Sequence, residues 1–217
     1  MESSGLTAPA CAVLVTGLMA AATSIHGQVH DPGPSDPALF SAVFNLPDDQ
    51  AVFSGLGPLF DTQINVFEGG SLIPGFTAFA GTEVNVDGGT LSDSFQALLD
   101  SETNISGGNV GNAFNARTGS LVNISGGTVG NFLAVRDGAV VNISGGSVGN
   151  SSAAFTGGVL NISGGTLGQF FDAQDLSQVT ISGGSVGASF DANAGSCLLY
   201  TSPSPRDQRG SRMPSSA

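Results

Sequence analysis

The sequence predicts an all-β fold, a parallel β-solenoid (β-helix) of about seven 19-residue coils with three short strands per coil and glycine corners. A five-letter block, N/T-I-S-G-G, recurs every 19 residues, beginning at Asn104, Asn123, Asn142, Asn161 and Thr180. Units this short cannot bury a core alone and must stack on their neighbours. Weaker copies begin at Asn85 and Asn65, with one additional residue at Phe67/Glu68. The predicted solenoid therefore spans residues 65–196.

The repeated Asn identifies the first strand of each coil, as in the segment 122–125, V-N-I-S. Successive side chains alternate across a strand, so the Val and Ile face inward while the Asn and Ser face outward. The pair Gly126-Gly127 follows at once and supplies the positive φ angles or the close approach that a corner requires. A helix is excluded, because each such glycine pair would cost it on the order of 2 kcal/mol relative to alanine.

Two further short strands complete each coil. Val129 returns to the core, a second corner forms at Gly130, and Leu133 and Val135 then face inward from a third strand. Other coils have Phe or Ala at the positions equivalent to Leu133 and Val135, so like residues of successive coils are expected to stack. Three strands closed by glycine corners describe a roughly triangular section. At about 4.8 Å per coil, the repeats make a rod of roughly 34 Å.

Residues 1–27 are predicted to be a cleaved signal peptide. The apolar run from Pro9 to Ala22 has the length of a signal-peptide core and is too short to span a bilayer. Cleavage after Ser24 or Gly27 suits the requirement for small residues. The first seven residues carry Glu2 and neither Lys nor Arg, so a disordered apolar terminus or a wrongly chosen start codon stays an alternative.

The segments that flank the repeats have different predicted roles. Residues 28–64 are predicted to be a linker and an N-terminal cap, which shields the open edge of the first coil. Residues 197–217 follow no repeat column and closely resemble the translation of a sequencing adapter. We interpret them as disordered read-through, with a natural disordered tail as the alternative. On this hypothesis the natural chain continues beyond Ser196, and any anchoring segment is expected there.

The charge balance excludes several classes of partner. Residues 28–196 contain 15 Asp and Glu but only two cations, Arg117 and Arg136, which gives a net charge of about −13. Phosphate binding requires clustered Lys and Arg, so nucleic acid is not expected as a partner.

Cys11 lies in the predicted signal and Cys197 in the predicted artefact, so the mature chain has no cysteine for disulfides or thiolate metal sites. No cofactor and no metal site are predicted.

The Gly-Gly corners, the N-x-S/T strands and the 19-residue spacing of residues 65–196 resemble the passenger repeats of autotransporter-type adhesins. They are also similar to uncharacterised secreted bacterial β-solenoid repeat proteins, which often end in a sorting or anchor segment. The resemblance implies a bacterial protein that is secreted or held at the cell surface.

The candidate binding surface is a row of outward polar side chains on the first strand. It comprises Asn104, Asn123, Asn142, Asn161, Ser106, Ser125, Ser144 and Ser163. These four Asn, like Asn150, lie in N-x-S sequons, which a eukaryotic secretory pathway would glycosylate. Neighbouring coils are only about 4.8 Å apart, too close for a bulky glycan on each. A structural ladder, in which the side-chain amides bond to one another along the rod, is therefore favoured.

Three other interpretations of the repeats are weaker. The G-G-x-V-G blocks are similar to calcium-binding nonapeptide repeats but lack their regular Asp. The Thr-x-Thr rows of ice-binding solenoids are absent. Asp172, Asp175 and Asp191 cluster in the last two coils, with Asp137 nearby in sequence, and β-helical lyases and glycosidases use paired carboxylates. We interpret these carboxylates as a solvated acidic face, so no catalytic residue is predicted.

Two functions of different class follow from these patterns. The first is a structural or adhesive protein that acts by non-catalytic association, either with itself or with an extracellular polysaccharide or surface. The alternative is a β-helix carbohydrate-active enzyme whose site is lost or incomplete. Such enzymes interrupt the repeat with long loops that build a cleft. The longest insertion between residues 65 and 196 is one residue, so the non-enzymatic function is favoured.

Overall fold

The computed structural model describes residues 42–48 and 60–200. In these ranges the chain forms strands and no helix, and the strands make three parallel sheets. Each complete coil contributes one strand to each sheet, which confirms the predicted β-solenoid with three short strands per coil. The predicted signal peptide, most of the predicted linker and cap, and residues 201–217 lie outside the described residues.

Sheet A, the largest, contains the strands that carry the repeated Asn. Its members are β1 (Ala42–Leu46), β2 (Thr62–Phe67), β5 (Glu83–Asp87), β8 (Glu102–Ile105), β11 (Leu121–Ile124), β14 (Val140–Ile143), β17 (Val159–Ile162), β20 (Gln178–Ile181) and β23 (Cys197–Tyr200). Sheet B follows the Gly-Gly corners. It contains β3 (Ser71–Leu72), β6 (Thr90–Leu91), β9 (Asn109–Val110), β12 (Thr128–Val129), β15 (Ser147–Val148), β18 (Thr166–Leu167) and β21 (Ser185–Val186). Sheet C completes each coil. It contains β4 (Thr77–Ala78), β7 (Gln96–Ala97), β10 (Asn115–Ala116), β13 (Ala134–Val135), β16 (Ala153–Ala154), β19 (Asp172–Ala173) and β22 (Asp191–Ala192).

The alternating pattern around the repeated Asn sets the register of sheet A. In β11, Val122 and Ile124 are almost fully buried, whereas Asn123 between them is half-buried. Pairing of β11 with β14 places Val122 beside Val141 and Asn123 beside Asn142. A shift by one residue would bury the amides and expose the aliphatic side chains, so burial specifies this register.

A column of mostly large side chains from the loops that enter sheet C fills the centre of the rod. Phe95 and Phe114 meet edge to face, with ring centroids 5.1 Å apart. Leu133 and Ser152 occupy the same column in the next two coils, and Phe171 follows. All five are at most 2% exposed. An aromatic pair of this geometry contributes about 0.5–1.5 kcal/mol beyond its buried area.

The Gly-Gly corner needs glycine for two separate reasons. Gly146 has a φ of +73°, in the left-handed region that other residues rarely adopt. A Cβ on Gly146 would also lie 2.6 Å from the carbonyl oxygen of Gly126, in the preceding coil. Corners of successive coils therefore stack backbone on backbone, which explains the recurrence of glycine at this point.

The additional residue of the early repeats lies in a corner. Asn65 pairs with Asn85, 20 residues on, but Ser71 pairs with Thr90, 19 residues on. The extra residue is therefore accommodated between Phe67 and Ser71, as predicted. Because it is confined to a corner, sheets B and C keep their register.

Sheet A extends beyond the predicted repeats at both ends. Strand β1 lies in the segment predicted as linker and cap, and Asn45 pairs in register with Asn65. The V-F-N-L pattern of β1 matches the first strand of a coil, but Pro47 and Asp48 follow it where the coils from Asn104 onward have Ser and Gly. At the other end, β23 pairs with β20 and brings Leu199 beside Thr180, with all four of its side chains exposed. The adapter origin of residues 197–217 stays a prediction.

Candidate functional site

The repeated Asn side chains of sheet A form one continuous hydrogen-bonded row, here called the asparagine ladder. Its members are Asn45, Asn65, Asn85, Asn104, Asn123, Asn142 and Asn161. Each Nδ2 donates to the Oδ1 of the preceding coil at 2.9–3.1 Å. The four predicted Asn site residues are thus brought together on one face of the rod.

The ladder uses only part of each amide's bonding capacity. An Asn amide has two N–H donors and two acceptor lone pairs, and bonds along the row take one of each. Asn123 gives a further N–H contact to Glu102 at 3.3 Å. Asn104, Asn142 and Asn161 make no second amide N–H bond within the described residues. Partly exposed donors and acceptors therefore repeat along this face at the coil spacing.

The four predicted Ser residues directly follow the strands that carry the Asn residues, but their hydrogen bonds go to backbone carbonyl groups. Ser106 donates its hydroxyl to the carbonyl oxygen of Val86 at 3.1 Å. Ser125, Ser144 and Ser163 reach the equivalent carbonyl oxygens of the preceding coil at 3.3–3.4 Å. These distances are long for O–H···O bonds. All four Ser are exposed, so their oxygens remain accessible beside the asparagine ladder.

A second Asn row, which the sequence analysis did not assign, closes the corner between sheets B and C. The Oδ1 of Asn112 accepts the backbone N–H of Asn131 at 2.9 Å, and Asn131 does the same for Asn150 at 2.8 Å. Asn150 in turn accepts from the backbone of Gln169. The sequon residue Asn150 therefore has a structural role. The recurring Gly-Asn dipeptide was the available signal.

The candidate carboxylates come together only in part. Asp172 and Asp191 lie side by side on β19 and β22, while Asp175 lies at the corner that follows. Asp172 accepts amide N–H groups from Asn193 at 3.0 Å and from Gln174 at 3.4 Å, so it orients two neighbouring amides. Within residues 42–48 and 60–200, no three His, Cys, Asp or Glu side chains are grouped to hold a metal ion.

The two arginines lie at the corner that leads from sheet C into sheet A, a feature that the sequence analysis did not use. Arg117 and Arg136 occupy the same column on consecutive coils, followed by Phe155 and Gln174. Together they line a surface hollow of about 340 Å³, here called the Arg–Phe groove. The 19-residue spacing of Arg117, Arg136 and Phe155 was visible in the sequence, but the contact between Arg136 and the ring was not.

These features define the chain as a parallel β-solenoid repeat protein. No protein-family model matches the sequence, and no curated protein matches it. A solved structure with a similar chain path is the TibC-catalysed hyper-glycosylated fragment 55–350 of TibA. It is 14% identical, with a TM-score of 0.38, and the match covers 75% of this chain and 79% of that one. A likeness at this level has no bearing on what this chain binds.

No helix in the described part of the chain has the length and apolarity to cross a membrane.

Proposed function

We propose that this protein is a secreted or cell-surface structural or adhesive rod of bacterial origin. It acts by non-catalytic association of its ladder face, either with further copies of itself or with an extracellular polysaccharide or surface. The asparagine ladder is the observation that carries this proposal, because it presents the same amide group on successive coils of one face.

A periodic face is suited to a periodic partner. Amide groups and exposed Ser hydroxyls recur on each coil at about 4.8 Å, so one weak contact is multiplied along the rod. The bonds between successive Asn also fix the side chains before binding, which lowers the conformational entropy lost on association. Secretion is part of the proposal and rests on the predicted signal peptide and on the acidic, Lys-free composition.

Surface variants of the full chain test the role of the ladder face. Substituting Ser125, Ser144 and Ser163 by Glu places charge beside the ladder without removing an amide. A matched control substitutes Thr128, Ser147 and Thr166 by Glu, which are exposed on sheet B in the same coils. Self-association is measured by sedimentation velocity, and polysaccharide binding by retardation in gels that contain the polymer.

Loss of association in the sheet A variant but not in the sheet B variant supports the proposal. Equal behaviour of the two variants contradicts a role for the ladder face. Catalysis is assayed in parallel as release of reducing ends or unsaturated sugars. Release that Asp172→Asn with Asp191→Asn abolishes would favour the alternative, a β-helix carbohydrate-active enzyme.

A further inference from the structure

The Arg–Phe groove concentrates the positive charge of the solenoid at one place. Arg117 and Arg136 are the cations among residues 42–48 and 60–200, and their strands pair in register through Ala116 and Val135. The two guanidinium groups therefore belong to neighbouring coils, whose backbones are about 4.8 Å apart. Like charges on adjacent strands destabilise a sheet. Repulsion between the two guanidinium groups would be relieved by an anion bound between them.

Neither guanidinium forms an ion pair with a carboxylate of the described ranges, although the chain is strongly acidic. Arg136 is held by other contacts. Its Nε donates to Asn115 Oδ1 at 3.1 Å, and its Cζ lies 4.8 Å from the ring centroid of Phe155. A guanidinium has five N–H donors, so the remaining donors of Arg136 are available to a ligand. The contacts with Asn115 and Phe155 orient the group without neutralising it.

The groove continues along the rod past the arginines. Thr156 and Gln174 line both this hollow and a second one of about 510 Å³, which extends to Asn193. From Arg117 to Asn193 the path crosses four coil steps, about 19 Å. The path begins at the two guanidinium groups, passes the Phe155 ring and ends at the side-chain amides of Gln174 and Asn193. Asp137 lines the first hollow beside Arg136 and Asp175 lines the second, so the acid group of a ligand would be directed to the Arg117 end.

We infer that the Arg–Phe groove binds an anionic sugar unit, with a carboxylate or sulfate group, within an extracellular polysaccharide chain. The two guanidinium groups bind the acid group through charge-assisted, bidentate hydrogen bonds. The Phe155 ring offers a flat apolar surface to the C–H face of a sugar ring. Gln174 and Asn193 are placed to bond hydroxyl groups further along the chain. The inference rests on the proposed function in placing the protein outside the cell, and it adds a second binding surface to the ladder face.

The negative charge of the rest of the rod does not prevent this binding. At physiological ionic strength, charges are screened over about 8 Å, so repulsion from the distant faces is weak. Local contacts in the groove then decide the outcome. A polymer presents many acid groups close to the groove, so a weak contact that breaks is readily replaced by another with the same chain.

The test uses the full chain and two pairs of probes at physiological ionic strength. Dextran sulfate is compared with dextran, and polygalacturonate with its methyl ester, by retardation in polymer-containing gels. The variant Arg117→Gln with Arg136→Gln is expected to lose at least about tenfold in affinity for the charged polymers. Ser147→Asp with Ser185→Asp is the control, because it lowers the net charge by the same amount at exposed sites on sheet B.

Retention of the acidic polymers by the wild type and the control, with loss in the arginine variant, supports the inference. Preference for sulfate over carboxylate, or the reverse, identifies the acid group and supports it equally. Equal binding of dextran and dextran sulfate overturns it, as does an arginine variant that binds like the wild type while its urea unfolding is unchanged. Failure of the wild type to bind any charged probe also overturns it. None of these results affects the ladder variants, so the proposed function is judged separately.

Discussion

Asn142 donates its side-chain N–H to the Oδ1 of Asn123 at 2.9 Å and accepts the same bond from Asn161. The ladder therefore has a direction, in which every amide donates toward the N-terminal end of the rod. An Asp side chain can accept from the following coil but, when ionised, cannot donate to the preceding one. Asn and Asp are thus not equivalent in this column.

The first prediction follows from that direction. Asn142→Asp is expected to lower the free energy of unfolding by about 1–2 kcal/mol at neutral pH, because the Oδ1 of Asn123 loses its donor. Urea unfolding measures the change. Asn109→Asp is the control, since the exposed Asn109 accepts a bond from Thr128 through Oδ1, an atom that Asp retains. Equal losses in the two variants would contradict the role of the ladder bonds.

A second prediction concerns Thr103, which occupies an inward column where neighbouring coils have Val84 and Val122. Its side chain is fully buried, and its hydroxyl has no hydrogen-bond partner within the described residues. Thr103→Val keeps the shape and removes the unsatisfied group, so the free energy of unfolding should rise by about 1–2 kcal/mol. Thr62→Val should bring no gain, because the Thr62 hydroxyl bonds the carbonyl of Phe60 at 2.8 Å. A destabilised Thr103→Val variant would show that the hydroxyl is bonded after all.

The third prediction separates two requirements for glycine. Gly146 and Gly75 both have a φ of +73°, but only Gly146 has backbone where a Cβ would lie, whereas nothing lies within 4 Å of that position at Gly75. Gly75→Ala should therefore cost about 1–2 kcal/mol from the left-handed conformation alone. Gly146→Ala adds overpacking worth about 1–3 kcal/mol. Thermal or urea unfolding that ranks the two equally would argue against close stacking of the corners.

The fourth prediction is a stabilising substitution. Leu176 has a φ of +60° and is 68% exposed, at a position where the preceding coil has Gly157. Leu176→Gly relieves about 1–2 kcal/mol of conformational strain and gives back about 0.5–1 kcal/mol in chain flexibility. A net gain of about 0.5–1 kcal/mol is expected. Leu99→Gly, at an exposed Leu without positive φ, should instead lose stability, and a loss in both variants would refute the strain.

Periodicity predicts the parts of this structure that depend on which residues stack. The inward positions of Val122 and Ile124, and the common face of Asn104 and Asn123, follow from a period of two along a strand and 19 between coils. The conformation of the corners does not follow from it. Phe132 adopts a φ of +65° and is exposed, although a Phe in a repeat is expected in the core. The sequence pattern predicts where a corner recurs but not the backbone conformation of that corner.

The Arg–Phe groove was missed for the same reason. Phe155 lies in the column of the two arginines, one coil after Arg136, but the contact of Arg136 with Asn115 joins two different columns. Aligning the repeats compares each residue with its equivalents in other coils. Contacts between unlike positions are visible only when the corner geometry is known.

Each coil pairs only with the coils next to it, and this restriction affects how the rod can evolve. On all three sheets each strand between the ends bonds the coil before it and the coil after it. An in-frame duplication or deletion of one whole repeat changes the length by about 4.8 Å and creates no new kind of contact. Gene copies that differ in repeat number can therefore all fold. Recombination that changed the number of repeats would therefore alter the length of the rod in single-coil steps.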